Sequence, residues 1–546
     1  MSVIRKNLIN AAIDRAYALT DYNIHNNIHK EDEFQKQVIL ADESLTKDEK
    51  SEAMRKLTKI YDSSKVVLNE GTRRVCENCN QKCLATLYCE FCVRNYLKAK
   101  FSNWTSGNDD IDNLIQECQM KTIKPNSIAE WIPYTNFKNI NYLTKGGYSD
   151  IYTAEWINGS YIEWVSKEQQ LKRFGEQYVV LKRLENVKSA NKRWFEEAIS
   201  HLNISNKWAD LIVKCYGLTQ DPLNGDYMLV MNKLDIDLRK YLQQNHTQLT
   251  WKERIQIATK IIKALYRIHN ENAIHRDLHS GNVLVHFGCT NISDLGFCGP
   301  ADRPTKSIYG NLPYIAPEVI TGQETTFKSD IYSIAMLMWE ISSGQPPFIN
   351  YGHDYNLAMN IVNGIRPKVV PGTPLEYKNL MIQCWDASPL KRPDIKTLLN
   401  RIDKLNLFYQ TISDEPIKLE ENSRLEINNY IRLFTSKVHQ FENLPEPRNA
   451  TEEEQQEFHS NKLYDFHIPN HIDDIGKLGN QSNNSSKITN SNKSFKRRLE
   501  NDFQEIMQQM KRNRINIDDE EDINNNPNFH SKEQNEFEHP ENMDEN

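Results

Sequence analysis

The sequence has no uninterrupted apolar run of about 18 residues, the length a helix needs to cross a hydrocarbon core. A transmembrane helix is therefore not expected. The opening stretch, MSVIRKNLINAAIDRAY, lacks the apolar centre and small-residue cleavage site of a secretory signal, and Asp14 and Asp21 interrupt it early. Neither end carries an acylation or prenylation pattern. An excess of one charge is also missing. The 67 basic and 74 acidic side chains leave a net charge of −7 over 546 residues. So mild a balance gives no reason to expect general binding to nucleic acid or to a membrane surface. Cysteine is sparse outside one place. Of the ten, five lie between Cys76 and Cys92, and the others stand at 118, 215, 289, 298 and 384. A disulfide framework would spread its cysteines through a small secreted chain. This pattern suits a reduced interior, cytoplasmic or nuclear, with one local metal site.

What is present divides the chain into segments. Residues 1–70 read as helical and poorly buried. SLTKDEKSEAMRKLTKIYD forms one helix, with Ser44 or Thr46 as its cap and Asp48 and Glu49 in its first turn. Leu45, Met54, Leu57 and Ile60 or Tyr61 fall on one side and need a partner surface. Residues 71–105 hold the cysteine cluster. Residues 106–136 read as a connector with one short helix near IDNLIQECQ. From Phe137 short strand-like runs appear, INYLTKGGYSDIYTAEW, YVVLKRL, IVKCYGLT and YMLVMNKL, interrupted by the helical ANKRWFEEAISHLNIS. After Asp237 the texture turns helical, and KSDIYSIAMLMWEISSG is apolar almost all round, as a buried helix should be. A small antiparallel-sheet lobe followed by a larger helical lobe is an α+β arrangement, placed here at 137–405. From 406 to 546 the chain is polar and asparagine-rich, too poor in apolar residues for a core, and reads as largely disordered with short helices.

Cys76-x₂-Cys79 and Cys89-x₂-Cys92 are two pairs with nine residues between them. Four thiolates at this spacing can surround zinc tetrahedrally, in a closed structural site without an open catalytic position. Cys83 lies between the pairs as a spare or alternative ligand. Arg73, Arg74, Lys82, Arg94, Lys98 and Lys100 surround the site. Offsetting its negative charge, or docking protein, is expected ahead of contact with nucleic acid.

The strongest local signal is Ile274-His-Arg-Asp-Leu-His-Ser-Gly-Asn282. Asp294-Leu-Gly296 begins twelve residues beyond Asn282, and Ala316-Pro-Glu318 begins twenty beyond Gly296. Together these resemble the eukaryotic protein-kinase family in order and spacing. The resemblance implies transfer of the γ-phosphate of ATP to a protein hydroxyl. Asp277 would orient the acceptor and take its proton. Asn282 and Asp294 would supply oxygen ligands to Mg²⁺. Lys182, in VVLKRL, would contact the α- and β-phosphates and pair with a glutamate of the next helix. WFEEAI offers Glu196 and Glu197, and the family's register favours Glu197. Arg276 would read a phosphate on the segment from Asp294 to Glu318, where Thr305, Ser307 and Tyr309 are candidate sites. Glu318 and Arg392 resemble the family's structural ion pair, and Asp330 its support for the catalytic loop.

Some positions depart from the family pattern. The glycine-rich turn maps onto Thr144, Gly146 and Ser149, so only the middle glycine is kept, with Gly147 beside it. Tyr148 could cap the phosphates, and Ile151 would pack on adenine. Met231 would sit behind the adenine pocket, with Asn232, Lys233 and Leu234 as the hinge. His279 replaces the lysine usual in serine/threonine kinases, and Asn311 replaces a threonine. The set resembles the expanded tyrosine-kinase-like kinases of certain fungi, including the cysteine-pair segment and the phrase NWTSGN. Serine/threonine acceptors are expected ahead of tyrosine. A pseudokinase scaffold that assembles partners is the alternative, favoured by the degenerate turn and opposed by the retained Lys182, Asp277, Asn282 and Asp294.

Overall fold

The computed structural model describes residues 4–21, 24–145, 149–184, 193–286, 289–296, 298–300, 308–411 and 436–460. Gly146, Gly147, Tyr148, Thr305 and Ser307 lie outside them, as do the asparagine-rich runs of the tail.

Six strands build the smaller lobe. Their order across the sheet is Glu130–Trp131, Cys215–Gln220, Tyr227–Asn232, Gln177–Arg183, Asp150–Trp156 and Phe137–Lys145. All neighbours are antiparallel except Glu130–Trp131, which runs parallel to Cys215–Gln220. That pairing needs Gly217. At φ +144° it passes so near Glu130 that a Cβ would meet the Glu130 carbonyl oxygen at 1.8 Å. The sheet thus begins earlier than Phe137, inside the stretch read as a connector. A hairpin of Tyr161–Val165 and Gln170–Arg173 stands beside the sheet.

The helix Asp109–Met120 is the rest of that stretch. Asn108 caps it, its side chain accepting from the Asp110 and Ile111 amides, and three aspartates sit in its first turn. Ile111, Ile115 and Cys118 fall at helical spacing and are buried. They join one core cluster with Trp194, Ala198 and Leu202 from around the helix Arg193–Ser200. The segment therefore braces the helix that carries Glu197.

The first helices are also packed. Lys6–Ala18, Ile28–Ala41 and Lys47–Leu68 share a core of Ile9, Ala12, Ala16, Ile39, Leu45, Ala53 and Leu57. Thr46 and Glu49 form a capping box at the start of the third. The expectation of poor burial is thereby corrected: the apolar stripe finds its partner within the bundle. Asp14 pairs with Lys260 of the helix Trp251–Asn270 at 2.9 Å, tying the bundle to the larger lobe.

That larger lobe is helical, as expected. Its central helix, Phe327–Ser343, is buried along nearly its whole length. Trp251–Asn270 and Leu375–Cys384 pack against it, and Ile395–Thr411 packs on Trp251–Asn270. The molecule is a two-lobed α+β arrangement with a four-cysteine knuckle attached. Among the described residues no helix is long and apolar enough to cross a membrane.

One stretch of the polar tail is ordered against this lobe. Lys437–His439 is a strand and Glu452–Ser460 a helix. The strand pairs antiparallel with Ile308–Gly310.

Ile115 is fully buried, so Ile115→Ala leaves a cavity where the brace meets the Glu197 helix. We expect a loss of about 2–5 kcal/mol in denaturant unfolding.

Candidate functional site

The site lies where the two lobes meet. Lys182 is on the strand Gln177–Arg183, with its side chain buried. Its Nζ stands 2.7 Å from Glu197 Oε1 and 2.7 Å from Asp294 Oδ1. Glu197 faces inward from the helix Arg193–Ser200, while Glu196 is exposed. Burial alone would strip the proton from Lys182, but the charges of Asp294 and Glu197 outweigh it and hold the ammonium protonated. Burial likewise opposes the charge on Asp294, and the attraction of Lys182 more than offsets it, so its carboxyl stays well below the usual range.

Asp294 is shaped by its backbone. It adopts φ +54°, and its Oδ1 accepts from the Gly296 amide at 3.1 Å. The next amide, of Leu295, donates to His201 Nε2 at 3.2 Å. His201 can accept because burial, with the nearby charge of Lys182, pushes its pKa down to about 3 and keeps the ring neutral. His201 begins a π-helical turn, His201–Ser205, directly after the Glu197 helix. The sequence reading missed this histidine. Its only signal there was a position four residues beyond Glu197.

The loop of Asp277 hangs from buried polar groups. Asp330 accepts from the His275 and Arg276 amides at 2.8 and 3.0 Å and pairs with His269 Nε2 at 2.9 Å. This holds Arg276 at φ +69°, a conformation few non-glycine residues take. Arg276 Nε donates to Thr325 Oγ1 at 3.1 Å. Beneath the loop, Ser280 Oγ donates to Glu340 Oε1 at 2.8 Å and accepts from Arg239 Nε at 3.1 Å. Tyr314 OH donates to the other oxygen of Glu340.

Asp277 and Asn282 face one another. Asn282 Nδ2 donates to the Asp277 carbonyl at 2.9 Å and approaches its Oδ2 at 3.4 Å. Fixing the amide nitrogen this way leaves the amide oxygen for a cation. With the Asp294 carboxylate it makes a hard, oxygen-only donor set, which fits Mg²⁺. Asp277 is buried, and that burial pushes its pKa up to about 7 against the hydrogen bonds of Ser436 and Asn282.

The other expected residues take these places. Ser149 is buried at the end of the turn, and Thr144 is exposed on its strand. Ile151 sits opposite Lys182 in the sheet register. Met231 is buried in the core beside the Glu197 helix, with Leu234 packed against the same cluster. Asn232 Oδ1 accepts from Tyr216 OH at 3.1 Å. Tyr309 pairs with Val438 of the tail strand, and Asn311 is buried. Glu318 and Arg392 form a bidentate pair, with both bonds at 2.7 Å.

The cysteine cluster closes as expected. The Sγ atoms of Cys76, Cys79, Cys89 and Cys92 all lie within 4.8 Å of one another. Cys76–Cys92 and Cys79–Cys89 are each 3.6 Å apart. A tetrahedron of thiolates at about 2.3 Å from zinc has edges of about 3.8 Å, so the donors fit that ion. Cys83 lies outside this set, its Sγ directed to the Arg74 carbonyl at 3.5 Å. The knuckle packs Val93 and Leu97 against Trp164 and Leu171 of the small-lobe hairpin.

Residues 137–402 match a family model described as protein tyrosine and serine/threonine kinase. The dual specificity protein kinase zakA of Dictyostelium discoideum is 31% identical over 196 residues, covering 32% of this chain and 25% of that protein. The human dual serine/threonine and tyrosine protein kinase is 33% identical over 191 residues, covering 33% of this chain and 20% of its own. The mouse protein of that description is 34% identical over 171 residues, covering 30% and 18%. The matched stretch thus spans a quarter or less of these relatives. Residues 137–402 thus form a eukaryotic protein-kinase-like domain.

Arg392 is fully buried, so removing it strands the Glu318 carboxylate in a dry site. Arg392→Ala should cost about 3–5 kcal/mol in equilibrium unfolding. A loss no larger than that of a surface arginine would contradict this account.

Proposed function

We propose that the chain is an ATP-dependent protein kinase acting on serine and threonine hydroxyls, with tyrosine as a second acceptor class. The observation that carries this reading is the double ion pair of Lys182, 2.7 Å from both Glu197 and Asp294. Phosphoryl transfer needs little covalent help from the protein. It needs cations around the moving phosphate and a carboxylate at the acceptor. Lys182 would bind the α- and β-phosphates, with Glu197 fixing its ammonium. Asn282 and Asp294 would hold Mg²⁺, which neutralises charge on the phosphates when bound. Asp277 would orient the acceptor and take its proton. Gly146, Gly147, Tyr148 and Ser149 would cover the phosphates, with Thr144 at the start of that turn. Ile151, Met231, Asn232 and Leu234 would enclose the adenine.

The neighbouring regions fit roles around this domain. Cys76, Cys79, Cys89 and Cys92 would hold a structural Zn²⁺. The helical N-terminal region, 1–70, and the knuckle, 71–105, would offer a docking surface to proteins. Arg276 would receive a phosphate on the segment that includes Tyr309, Thr305 and Ser307. The narrower likeness to fungal tyrosine-kinase-like kinases rests on the sequence pattern.

Two measurements test these roles. Asp277→Asn should slow transfer to a generic protein substrate by roughly 10²–10⁴-fold while magnesium–ATP binding persists. Equal phosphate incorporation by both proteins would remove Asp277 from its role. Elemental analysis of purified protein should find one zinc per chain, lost together with thermal stability in Cys89→Ser. Metal-free protein of unchanged melting temperature would count against the zinc site.

A further inference from the structure

The tail strand occupies a telling place. In the register Ile308↔His439, Tyr309↔Val438 and Gly310↔Lys437, it lies along the segment just before Ala316-Pro-Glu318. The residue that leads into it, Ser436, is buried. Ser436 Oγ stands 2.8 Å from Asp277 Oδ1 and 3.0 Å from His279 Nε2.

The directions of these two bonds follow from the histidine. His279 Nδ1 accepts from the Gly281 amide at 3.0 Å, so in the neutral ring the proton is on Nε2. Nε2–H therefore donates to Ser436 Oγ, and the serine hydroxyl donates to Asp277. The hydroxyl proton points at the carboxylate, and a lone pair on oxygen is left for a bond to phosphorus.

The docking is specific on both surfaces. Lys437 Nζ donates to the His353 carbonyl at 3.2 Å, and His439 Nε2 pairs with the Gly310 carbonyl at 3.0 Å. Further along, the Arg448 amide donates to the Val362 carbonyl at 3.1 Å, and Gln455 Nε2 to the Gly364 carbonyl at 2.8 Å. Asn449 Oδ1 accepts from the Ala387 amide at 2.9 Å. Gly364, at φ +92°, lies so close to this stretch that a Cβ would meet the Ala450 nitrogen at 2.1 Å. Any side chain there would push the tail away.

We propose that Ser436 is an intramolecular phospho-acceptor, presented by a tail strand that fills the acceptor-peptide groove of its own kinase domain. This rests on the reading of the domain as an ATP-dependent kinase. In the step, the bond between the γ-phosphorus and the β,γ-bridging oxygen of ATP breaks, and its electron pair leaves with ADP. The bond from Ser436 Oγ to phosphorus forms, and the hydroxyl proton passes to Asp277. His279 acts as a positioning residue that orients the acceptor oxygen. Once Asp277 has released that proton to solvent, the product carries about −1.5 to −2 charges beside its carboxylate, and this repulsion favours withdrawal of the strand from the groove.

The test uses the full chain, dephosphorylated and then given magnesium and ATP, with sites mapped by mass spectrometry over time. Casein in a parallel reaction reports transfer to an outside acceptor. Phosphate should accumulate on Ser436 at a fractional rate that does not change across a dilution series. It should be lost in Ser436→Ala and retained on the hydroxyl of Ser436→Thr. An isotope-labelled Asp277→Asn chain mixed with active protein should stay unmodified at Ser436. Casein phosphorylated by the wild type, with Ser436 unmodified, would overturn the proposal and leave the kinase reading standing. Labelled chains modified as fast as active ones would overturn its intramolecular character. Transfer to neither casein nor Ser436 would defeat the kinase reading and this proposal together.

Discussion

A single buried ammonium joins three parts of this molecule. Lys182 comes from the small-lobe sheet, Glu197 from the helix beside it, and Asp294 from a loop of the larger lobe. None of the three could be buried alone with its charge intact, because taking an unpaired ion out of water costs several kcal/mol. Each is stable in place only while the others are. The interaction therefore reports on the whole arrangement: if the Glu197 helix turns away or the Asp294 loop shifts, the lysine loses a partner. A site held this way needs outside support, and the structure supplies it. Ile111, Ile115 and Cys118 share a core cluster with Trp194 and Ala198 of the Glu197 helix, and the neutral ring of His201 ties that region to the Leu295 amide.

The same dependence explains why regions outside residues 137–402 are packed on the domain. The helix Asp109–Met120 and the strand Glu130–Trp131 complete the small lobe. The cysteine knuckle seats Val93 and Leu97 on its hairpin, and the first helices reach the larger lobe through Asp14 and Lys260. A metal at the knuckle would fix the surface on which Trp164 and Leu171 rest. Its effect on the domain would then pass through packing, since the four thiolates leave no open position for chemistry.

The residues that meet at the candidate site are legible in the sequence because motif spacing is rigid. Asp277, Asn282 and Asp294 sit on short loops between fixed elements, so counting residues is enough to place them. Lys182 pairs with Glu197 while Glu196 is exposed, since one step along a helix turns a side chain by about 100°. What escaped was tertiary. The stripe of Leu45 and Leu57 was visible, but its partners Ile9 and Ile39 lie in other helices, and no local pattern joins them. The connector's loops are what its sequence shows, whereas Ile115 shares a core cluster with Trp194, almost eighty positions away. The tail was judged by composition, which averages over many residues. Its described part includes the strand Lys437–His439 and the helix Glu452–Ser460, both placed against the domain, and strand formation follows such surroundings more than intrinsic preference.

That strand bears on how the domain meets any other acceptor. Ser436 belongs to the same molecule, and the residues from Arg448 to Gln455 are clamped to the larger lobe by backbone bonds and by the bare Cα of Gly364. A tethered group of this kind competes at an effective concentration of about millimolar, without any added contact in the groove. On the proposed reading, an outside peptide would therefore have to bind better than the tail or arrive after the tail has left. The contacts that place the Ser436 hydroxyl, from Asp277 and His279, act on the oxygen and its proton and not on the serine backbone. They would serve a threonine hydroxyl equally, whereas a tyrosine hydroxyl stands several ångströms farther from its main chain. With the strand at its present depth, a tyrosine could reach the carboxylate only by drawing its backbone away from Ile308–Gly310. On the proposed kinase reading, the acceptor preference would thus be set by the distance between the pairing edge and Asp277 more than by the identity of either group.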